Sequence, residues 1–263
     1  MVDTWSGAPR HVRTAVQVLR GRVGHWTYVS SRSVYRLPLA LGADESAPVV
    51  DGDPASGDDF YPTAKRGGEF AALEHDGPVL VARVGLMVGP YENVGRLPFW
   101  LDRIARGGRV PAPGPPAQPI QLLDARDLAR WTRSCAASAT SGVYNVVSPV
   151  GLVTIDDVLA ACAEVTGSDA ELVWLTAAQV EQAGVEAWTG MPLWLPPSHE
   201  AAGLHDCDVS AALAAGFVTR PVIETVRDTW AWIQRDGMPA GTARGGQGYD
   251  DAAAHRLLAT VTR

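Results

Sequence analysis

Residues 61–84 read YPTAKRGGEFAALEHDGPVLVARV, and this stretch decides the fold that the sequence predicts. Residues 61–74 have the composition of a helix, and residues 78–84 form an apolar run that is typical of a buried strand. Upstream, residues 25–29 form a similar run rich in β-branched and aromatic side chains. Strands that alternate with helices of about 10–15 residues favour a parallel, doubly wound α/β sheet.

The alternation continues along the chain, which divides into three parts. Residues 1–149 are expected to form an α/β domain, in which residues 93–118 contribute to a smaller lobe. The pattern then loosens, so residues 150–236 are assigned to the smaller lobe and a closing helix, and residues 237–263 to a tail. Further helices are predicted up to residue 22 and at 97–106, 124–137, 154–166 and 221–232, strands at 119–123 and 143–147, and an irregular proline-rich loop at 111–119.

Charge and composition disfavour several classes of protein. A net charge of -7 is unsuited to a nucleic-acid partner, which attracts a basic surface. No apolar run approaches the roughly 20 residues that cross a bilayer, and no secretory signal pattern opens the chain. Cys135, Cys162 and Cys207 are widely spaced and odd in number, which disfavours a disulfide framework. The sequence therefore predicts a cytoplasmic protein with no nucleic-acid and no membrane partner.

Tyr61 and Lys65 stand four residues apart, which places a phenol and an ammonium on the same face of the predicted helix. Lys65 is the single lysine among 22 basic residues. Random placement would put it four residues after a tyrosine only about 2% of the time. A tyrosine with its ordinary pKa of about 10 is a poor base at neutral pH, and a neighbouring ammonium lowers that pKa.

Ser31 completes a candidate catalytic set with Tyr61 and Lys65. It ends the strand that precedes the helix, and its hydroxyl can donate to the same substrate oxygen as the Tyr61 phenol. The set suits proton exchange with an alcohol or a ketone. The alternative is a helical Tyr–Lys pair near the surface with no chemical role.

Five motifs in order resemble those of the extended short-chain dehydrogenases/reductases, the NAD-dependent epimerase/dehydratase group. In the strand end VSSRSVY at 29–35, the catalytic hydroxyl residue of the group lies four positions before the tyrosine and matches Ser31. Tyr61 and Lys65 match its catalytic Tyr and Lys. The remaining motifs are RVGLMVGP at 83–90, LDARDLA at 123–129 and GVYNV at 142–146. Val84 departs from the group, which usually has proline there.

The resemblance implies an enzyme dependent on NAD or NADP that acts on a small molecule with a hydroxyl or ketone, a nucleotide sugar being one candidate. It implies that hydride moves between the substrate carbon and nicotinamide while Tyr61 moves the proton. Lys65 would also bind the nicotinamide ribose, and the other implied cofactor contacts are Arg83, Val84, Gly85 and Leu86. A homodimer is in keeping with the group.

Members of the group open with a strand and a glycine-rich turn that binds pyrophosphate, and this sequence contains no such turn. The match begins at residues 2–4, in the fourth strand of the sheet, so an incomplete doubly wound (Rossmann-type) sheet lacking its first three strands is expected. The resemblance thus implies that residues 1–149 form a partial Rossmann-type catalytic domain and that the smaller lobe is the substrate lobe. Either the true start lies upstream of Met1, or the short form is genuine and binds NAD(P) poorly. In the second case the sheet edge needs a partner. A catalytically silent binding or regulatory protein is then the alternative function.

Other residues carry weaker signals. Arg96 and Arg103 are candidates to bind an anionic substrate, and Trp188 and Trp194 to line its pocket, with surface arginine and core packing as the alternatives. The acidic pairs Asp44-Glu45 and Asp58-Asp59 lie in a polar loop and are interpreted as solvated. No metal is expected, because the spacing in one polar cluster matches no zinc pattern: His199, His205, Asp206, Cys207 and Asp208.

Overall fold

A computed structural model describes residues 1–239 and 247–261. The strands of this part of the chain are β1 (Val2–Asp3), β2 (Trp26–Ser31), β3 (Val79–Val84), β4 (Leu86–Val88), β5 (Arg109–Pro113), β6 (Leu122–Asp124), β7 (Gly142–Val146) and β8 (Glu171–Leu175). The α-helices are α1 (Arg10–Val18), α2 (Tyr61–Ala72), α3 (Arg96–Ala105), α4 (Ala125–Ala137), α5 (Ile155–Thr166), α6 (Ala177–Gln182), α7 (Ser210–Ala214), α8 (Val222–Asp236) and α9 (Asp251–Ala259).

These elements belong to two units, each assembled from three segments of the chain. Unit 1 comprises Met1–Gly85, Ala125–Pro149 and Asp206–Thr219. Unit 2 comprises Leu86–Asp124, Val150–His205 and Arg220–Arg263. Residues 93–118 and 150–205 thus lie in the same unit, whereas residues 206–219 lie with the first strands of the chain.

Unit 1 is built on a parallel sheet with the strand order β1-β2-β3-β7. Tyr28 of β2 pairs with Val81 of β3, and Val81 pairs with Val143 of β7. Every residue of β2 and β3 is buried, as expected of parallel strands that are covered on both faces. The predicted parallel α/β architecture is therefore confirmed, and the carboxyl ends of all four strands meet at one edge of the sheet.

Two adjacent glycines of α2 allow close packing on neighbouring parts of unit 1. A Cβ on Gly68 would lie 2.1 Å from the Tyr28 hydroxyl, and a Cβ on Gly67 would lie 2.6 Å from a ring carbon of Pro9. No side chain fits at either position without movement of its neighbours. Gly68 thus allows α2 to pack closely against β2, and Gly67 against the start of α1.

Unit 2 has its own apolar core, in which helices α3, α5 and α8 pack together. Trp100 of α3 is fully buried, and its indole N–H donates to the carbonyl of Pro192 at 2.9 Å. Thr154 begins α5 as predicted, since its hydroxyl accepts from the backbone N–H of Asp157 at 3.1 Å. This bond and its reciprocal from the Asp157 side chain form a capping box.

A strand occupies part of the stretch that was predicted to be an irregular loop, so that prediction was wrong for its first residues. Residues 109–113 form β5, which pairs in parallel with β8 from Arg109↔Glu171 to Pro113↔Leu175. Within the described residues these two strands form a two-stranded sheet. Each is therefore an edge strand, where Pro111 and Pro113 are tolerated because one side of the strand needs no N–H donors.

Part of the expected tail forms helix α9. Asp250 caps it by accepting from the N–H of Ala253 at 2.7 Å. Ala254 and Leu257 are buried in the core of unit 2, and the Tyr249 hydroxyl donates to the carbonyl of Pro111 at 2.7 Å. None of the helices in the described ranges is both long and apolar enough to cross a membrane.

Candidate active site

Ser31 is the last residue of β2 and lies at the carboxyl edge of the sheet. Its Oγ accepts from the backbone N–H of Ser33 and donates to the Ser33 hydroxyl, each at 3.1 Å. These bonds cap the short 3-10 turn Arg32–Val34. Ligands of open parallel sheets bind outside the carboxyl ends of the strands, so the fold places this hydroxyl where chemistry is expected.

Lys65 lies on α2 and reaches the same edge of the sheet. Its Nζ donates to the carbonyl of Val29 in β2 at 2.7 Å and to the carbonyl of Trp5 at 2.8 Å. It also lies 5.1 Å from the centre of the Tyr28 ring, and only 3% of the residue is exposed. A compact ammonium can bridge two carbonyls that the planar guanidinium of arginine would not fit, which gives the single lysine a physical reason.

Tyr61 is the first residue of α2 and is partly exposed. It stands one helical turn before Lys65, as the sequence predicted, and Pro62 follows it at the start of the helix. Ser31, Tyr61 and Lys65 therefore all belong to α2 or to the strand end on which α2 packs. Ser31 and the Lys65 ammonium lie at the same edge of unit 1, and Tyr61 begins the helix that carries Lys65.

Glu69 is a buried carboxylate at this edge that the sequence analysis missed. Its two oxygens accept from the Ser30 hydroxyl at 2.6 Å, from Arg66 at 2.6 Å, and from Nε and Nη2 of Arg83 at 2.9 and 3.0 Å. Glu69 thus ties α2 to both β2 and β3. The spacing of four that joins Tyr61 to Lys65 continues one turn further to Glu69, and this signal could have identified it.

Arg83 was expected to contact a cofactor, and its guanidinium makes several bonds within the protein. Besides the two bonds to Glu69, Nη1 donates to the Tyr35 hydroxyl at 3.2 Å and to the carbonyl of Glu45 at 3.1 Å. Burial lowers the pKa of Arg83, but the hydrogen bonds and charges of Glu69 and Tyr35 together raise it overall. Arg83 is therefore permanently charged and holds β3 to α2.

The same network extends to β7 through Tyr35 and Asn145. The Tyr35 hydroxyl donates to Asn145 Oδ1 at 2.7 Å, and burial raises the pKa of Tyr35. The backbone N–H of Asn145 donates to the Glu45 carboxylate at 2.6 Å. Glu45 is thus not simply solvated, which corrects the interpretation of the Asp44-Glu45 pair, whereas Asp44 is exposed and accepts from Ser46.

Gly85 was expected to let a nicotinamide ring approach the backbone, and the structure gives a different neighbour. A Cβ on Gly85 would lie 2.4 Å from the guanidinium of Arg32 and 2.7 Å from Val147. Arg32 therefore explains why glycine is needed here. Val84 is buried at the end of β3, and Leu86 begins β4 in the core of unit 2.

The donor types at this edge fit the part of NAD(P) that reacts. The hydroxyl groups of a nicotinamide ribose can accept from an ammonium, which Lys65 would supply. A substrate oxygen needs hydroxyl donors, which Ser31 and Tyr61 would supply. Lys65 already donates to the carbonyls of Trp5 and Val29, which hold it at this edge. The fit thus rests on these three residues.

The predicted substrate residues all lie in unit 2. Arg96 begins α3 and is buried beside Glu92, with Nη1 3.5 Å from the carboxylate. Glu92 accepts from the backbone N–H groups of Arg96 and Leu97 at 2.9 and 3.1 Å, and burial raises its pKa. Arg103 pairs with Asp251 at 3.1 Å. Both arginines therefore bind carboxylates of their own chain.

The two tryptophans differ in their surroundings. Trp194 lies in the core of unit 2, where its indole N–H donates to Gln118 at 2.9 Å. Trp188 is partly exposed, has a positive φ of 69°, and donates its backbone N–H to the carbonyl of Trp194 at 3.1 Å. Its ring centre lies 6.1 Å from that of His205. Trp194 thus shows the core packing that the sequence left open as the alternative.

The polar cluster at residues 199–208 does not gather into one group. His199 Nδ1 accepts from the N–H of Ala201 at 3.0 Å, and His205 Nδ1 accepts from the N–H of Gln121 at 3.1 Å. Across residues 1–239 and 247–261, no group of three or more His, Cys, Asp or Glu side chains could hold a metal ion.

The second acidic pair, Asp58-Asp59, lies in the loop before α2. Asp58 is exposed and accepts from the N–H of Phe60 at 3.1 Å.

Known structures share this fold. The enzyme WbmG of Bordetella bronchiseptica, solved with NAD and UDP, is 16% identical, with a TM-score of 0.59 over 86% of this chain and 64% of WbmG. UDP-glucuronic acid 4-epimerase of Bacillus cereus, solved with NAD, is 15% identical, with a TM-score of 0.57 over 86% of this chain and 67% of the epimerase. RMD of Pseudomonas aeruginosa, solved with NADPH, is 20% identical, with a TM-score of 0.57 over 85% of this chain and 72% of RMD. No protein-family model and no curated protein matches the sequence.

At these identities the likeness establishes the fold. It confirms that the chain has the Rossmann-type architecture of NAD-dependent epimerases and dehydratases, which the sequence motifs had indicated. The chain spans 64% of the length of WbmG.

Proposed function

We propose that this chain, whose fold is that of NAD-dependent epimerases and dehydratases, catalyses NAD(P)-dependent chemistry at a hydroxyl or ketone carbon of a nucleotide sugar. The observation that carries the proposal is the position of Lys65. Its ammonium bonds to β2 at Val29, two residues before Ser31, and Tyr61 stands one turn before it on α2. Similar structures solved with NAD and UDP, or with UDP-glucose and NAD, support the substrate class.

Three side chains divide the chemistry. Tyr61 accepts the hydroxyl proton of an alcohol substrate or returns a proton to a ketone, and Lys65 supplies a positive charge one helical turn away on α2. The Ser31 hydroxyl donates to the substrate oxygen and orients it. When bound, NAD(P) accepts or returns the hydride of the substrate carbon.

Tyr61→Phe tests the acid–base role. We expect kcat to fall by about 10²–10⁴-fold with NAD(P) and a UDP-sugar, because the variant has no proton to exchange. Tyr144→Phe is the matched control, since its hydroxyl donates to the carbonyl of Ser141 in a surface turn. Turnover of Tyr61→Phe at the parental rate, with both variants folded by circular dichroism, would remove Tyr61 from the mechanism.

A catalytically silent binding protein on the same scaffold is the second candidate. The observation that favours it is the Arg32 guanidinium, which lies 2.4 Å from the position of a Cβ on Gly85, a residue expected to let a nicotinamide ring approach. Fluorescence titration of the chain with NADH and NADPH separates the two functions. Saturable binding followed by turnover supports the enzyme, whereas no binding of either nucleotide supports the silent protein.

A further inference from the structure

The Lys65 ammonium has two carbonyl anchors that are held in different ways. Val29 lies inside β2, where its register with Ala82 of β3 fixes the backbone. Trp5 lies beyond the end of β1 and has no such ladder. The placement of Lys65 therefore depends on whatever fixes the backbone of Trp5.

Asp3 fixes that backbone. It is the last residue of β1, only 7% of it is exposed, and its Oδ1 accepts from the N–H of Trp5 at 2.9 Å. Burial raises the pKa of Asp3 overall, although the bond from Trp5 and the charge of Lys65 partly offset this effect. Asp3 and Lys65 are thus linked through Trp5, whose N–H bonds to the carboxylate and whose carbonyl accepts from the ammonium.

The other charged and titratable groups around Lys65 have different roles. The Tyr28 hydroxyl donates to the Trp5 carbonyl at 3.3 Å, and its pKa is raised by burial first and then by Asp3, Glu69 and Tyr61. Tyr28 thus stays a neutral donor. Glu69 is bound by Ser30, Arg66 and Arg83. Its charge is therefore committed to two arginines.

We propose that Asp3 is a positioning residue for Lys65: its carboxylate holds the Trp5 backbone in place and thereby keeps the ammonium seated at the carboxyl edge of the sheet. The consequence for turnover rests on the function proposed above. The placement of Lys65 does not, and it can be measured without a substrate.

The single lysine makes this measurement direct. Protein labelled with ¹⁵N-lysine gives one side-chain signal, and hydrogen exchange of the Lys65 ammonium reports how often the side chain leaves its two carbonyls. Asp3→Asn retains an oxygen that can accept from Trp5 and removes the charge, whereas Asp3→Ala removes both. Asp76→Asn is the matched control, because Asp76 is a half-exposed carboxylate between α2 and β3, beyond the opposite edge of the sheet.

We expect exchange about tenfold faster in Asp3→Asn and faster still in Asp3→Ala, with no change in Asp76→Asn. Equal exchange in the parent and in Asp3→Asn would overturn the proposal. If Asp3→Ala does not fold, the Asn variant decides alone, since it preserves the hydrogen-bonding shape.

Turnover supplies a second readout. In Asp3→Asn, kcat should fall because the ammonium is less firmly placed, while KM for the sugar stays unchanged. A parent chain without turnover would contradict the proposed function but leave the exchange experiment to decide the role of Asp3. An unaltered kcat together with unaltered exchange would contradict the role of Asp3 alone.

Discussion

At the scale of single residues, the carboxylate of Glu69 is the main polar tie between α2 and the sheet. Its side chain is 1% exposed, and that of its partner Arg83 is 4% exposed. Removing one partner of a buried pair leaves the other charge desolvated and uncompensated. Glu69→Gln should therefore lower the free energy of unfolding by about 3–5 kcal/mol, as measured by urea denaturation.

The same substitution at Glu74 provides the comparison. Glu74 follows α2 and pairs with Arg13 at 2.9 Å, but the two side chains are 30% and 39% exposed. Water already solvates this pair, so Glu74→Gln should cost only about 0–1 kcal/mol. Equal losses at the two positions would mean that Glu69 does not act as a buried ion-pair partner.

At the scale of elements, the contact between α2 and β2 depends on Gly68. Alanine is normally favoured over glycine within a helix by about 1 kcal/mol. Here the added methyl group would lie 2.1 Å from the hydroxyl of the fully buried Tyr28, so it must push α2 from the sheet. We expect Gly68→Ala to lower the free energy of unfolding by about 1–3 kcal/mol in spite of the helix preference.

Gly24→Ala is the control at this scale. Nothing lies within 4 Å of a Cβ at Gly24, and its φ is not positive. The melting temperature of the Gly24→Ala variant should stay within about a degree of that of the parent protein or rise slightly, because alanine restricts the unfolded chain. A stabilised Gly68→Ala variant would show that α2 does not require this close approach.

At the scale of the molecule, three buried thiols report on the two units separately. Cys135 and Cys207 lie in unit 1, and Cys162 lies in unit 2. Burial raises the pKa of all three thiols, and Arg32 partly offsets this effect at Cys207. Since the thiolate is the reactive form, the native protein should resist a thiol reagent at pH 8.

Pulsed thiol labelling across a urea series, read by peptide mass, follows each unit. Cys135 and Cys207 should become reactive at the same urea concentration, because they belong to one unit although 71 residues separate them along the chain (207 minus 135, less one). Distinct midpoints for these two thiols would show that unit 1 does not unfold cooperatively. Labelling of Cys162 gives the corresponding midpoint for unit 2.

The sequence by itself determined the elements whose signals are local. The alternation of apolar runs and helices predicted the parallel sheet, Thr154 with Asp157 marked the start of α5, and the spacing of Tyr61 and Lys65 placed both on α2. Such signals lie within a few residues of each other, so no knowledge of the fold is needed to read them.

The tertiary structure decided which distant groups meet. Lys65 bonds to the carbonyl of Trp5, which is 60 residues away along the chain, and Glu69 pairs with Arg83, which is 14 residues away. Strand β5 pairs with β8, which is also distant in the sequence. A buried polar group needs a hydrogen-bond partner, but the amino-acid sequence does not show which group that partner is. The packing of α2 on the sheet determines the partners of Lys65 and Glu69, and the candidate site depends on these contacts.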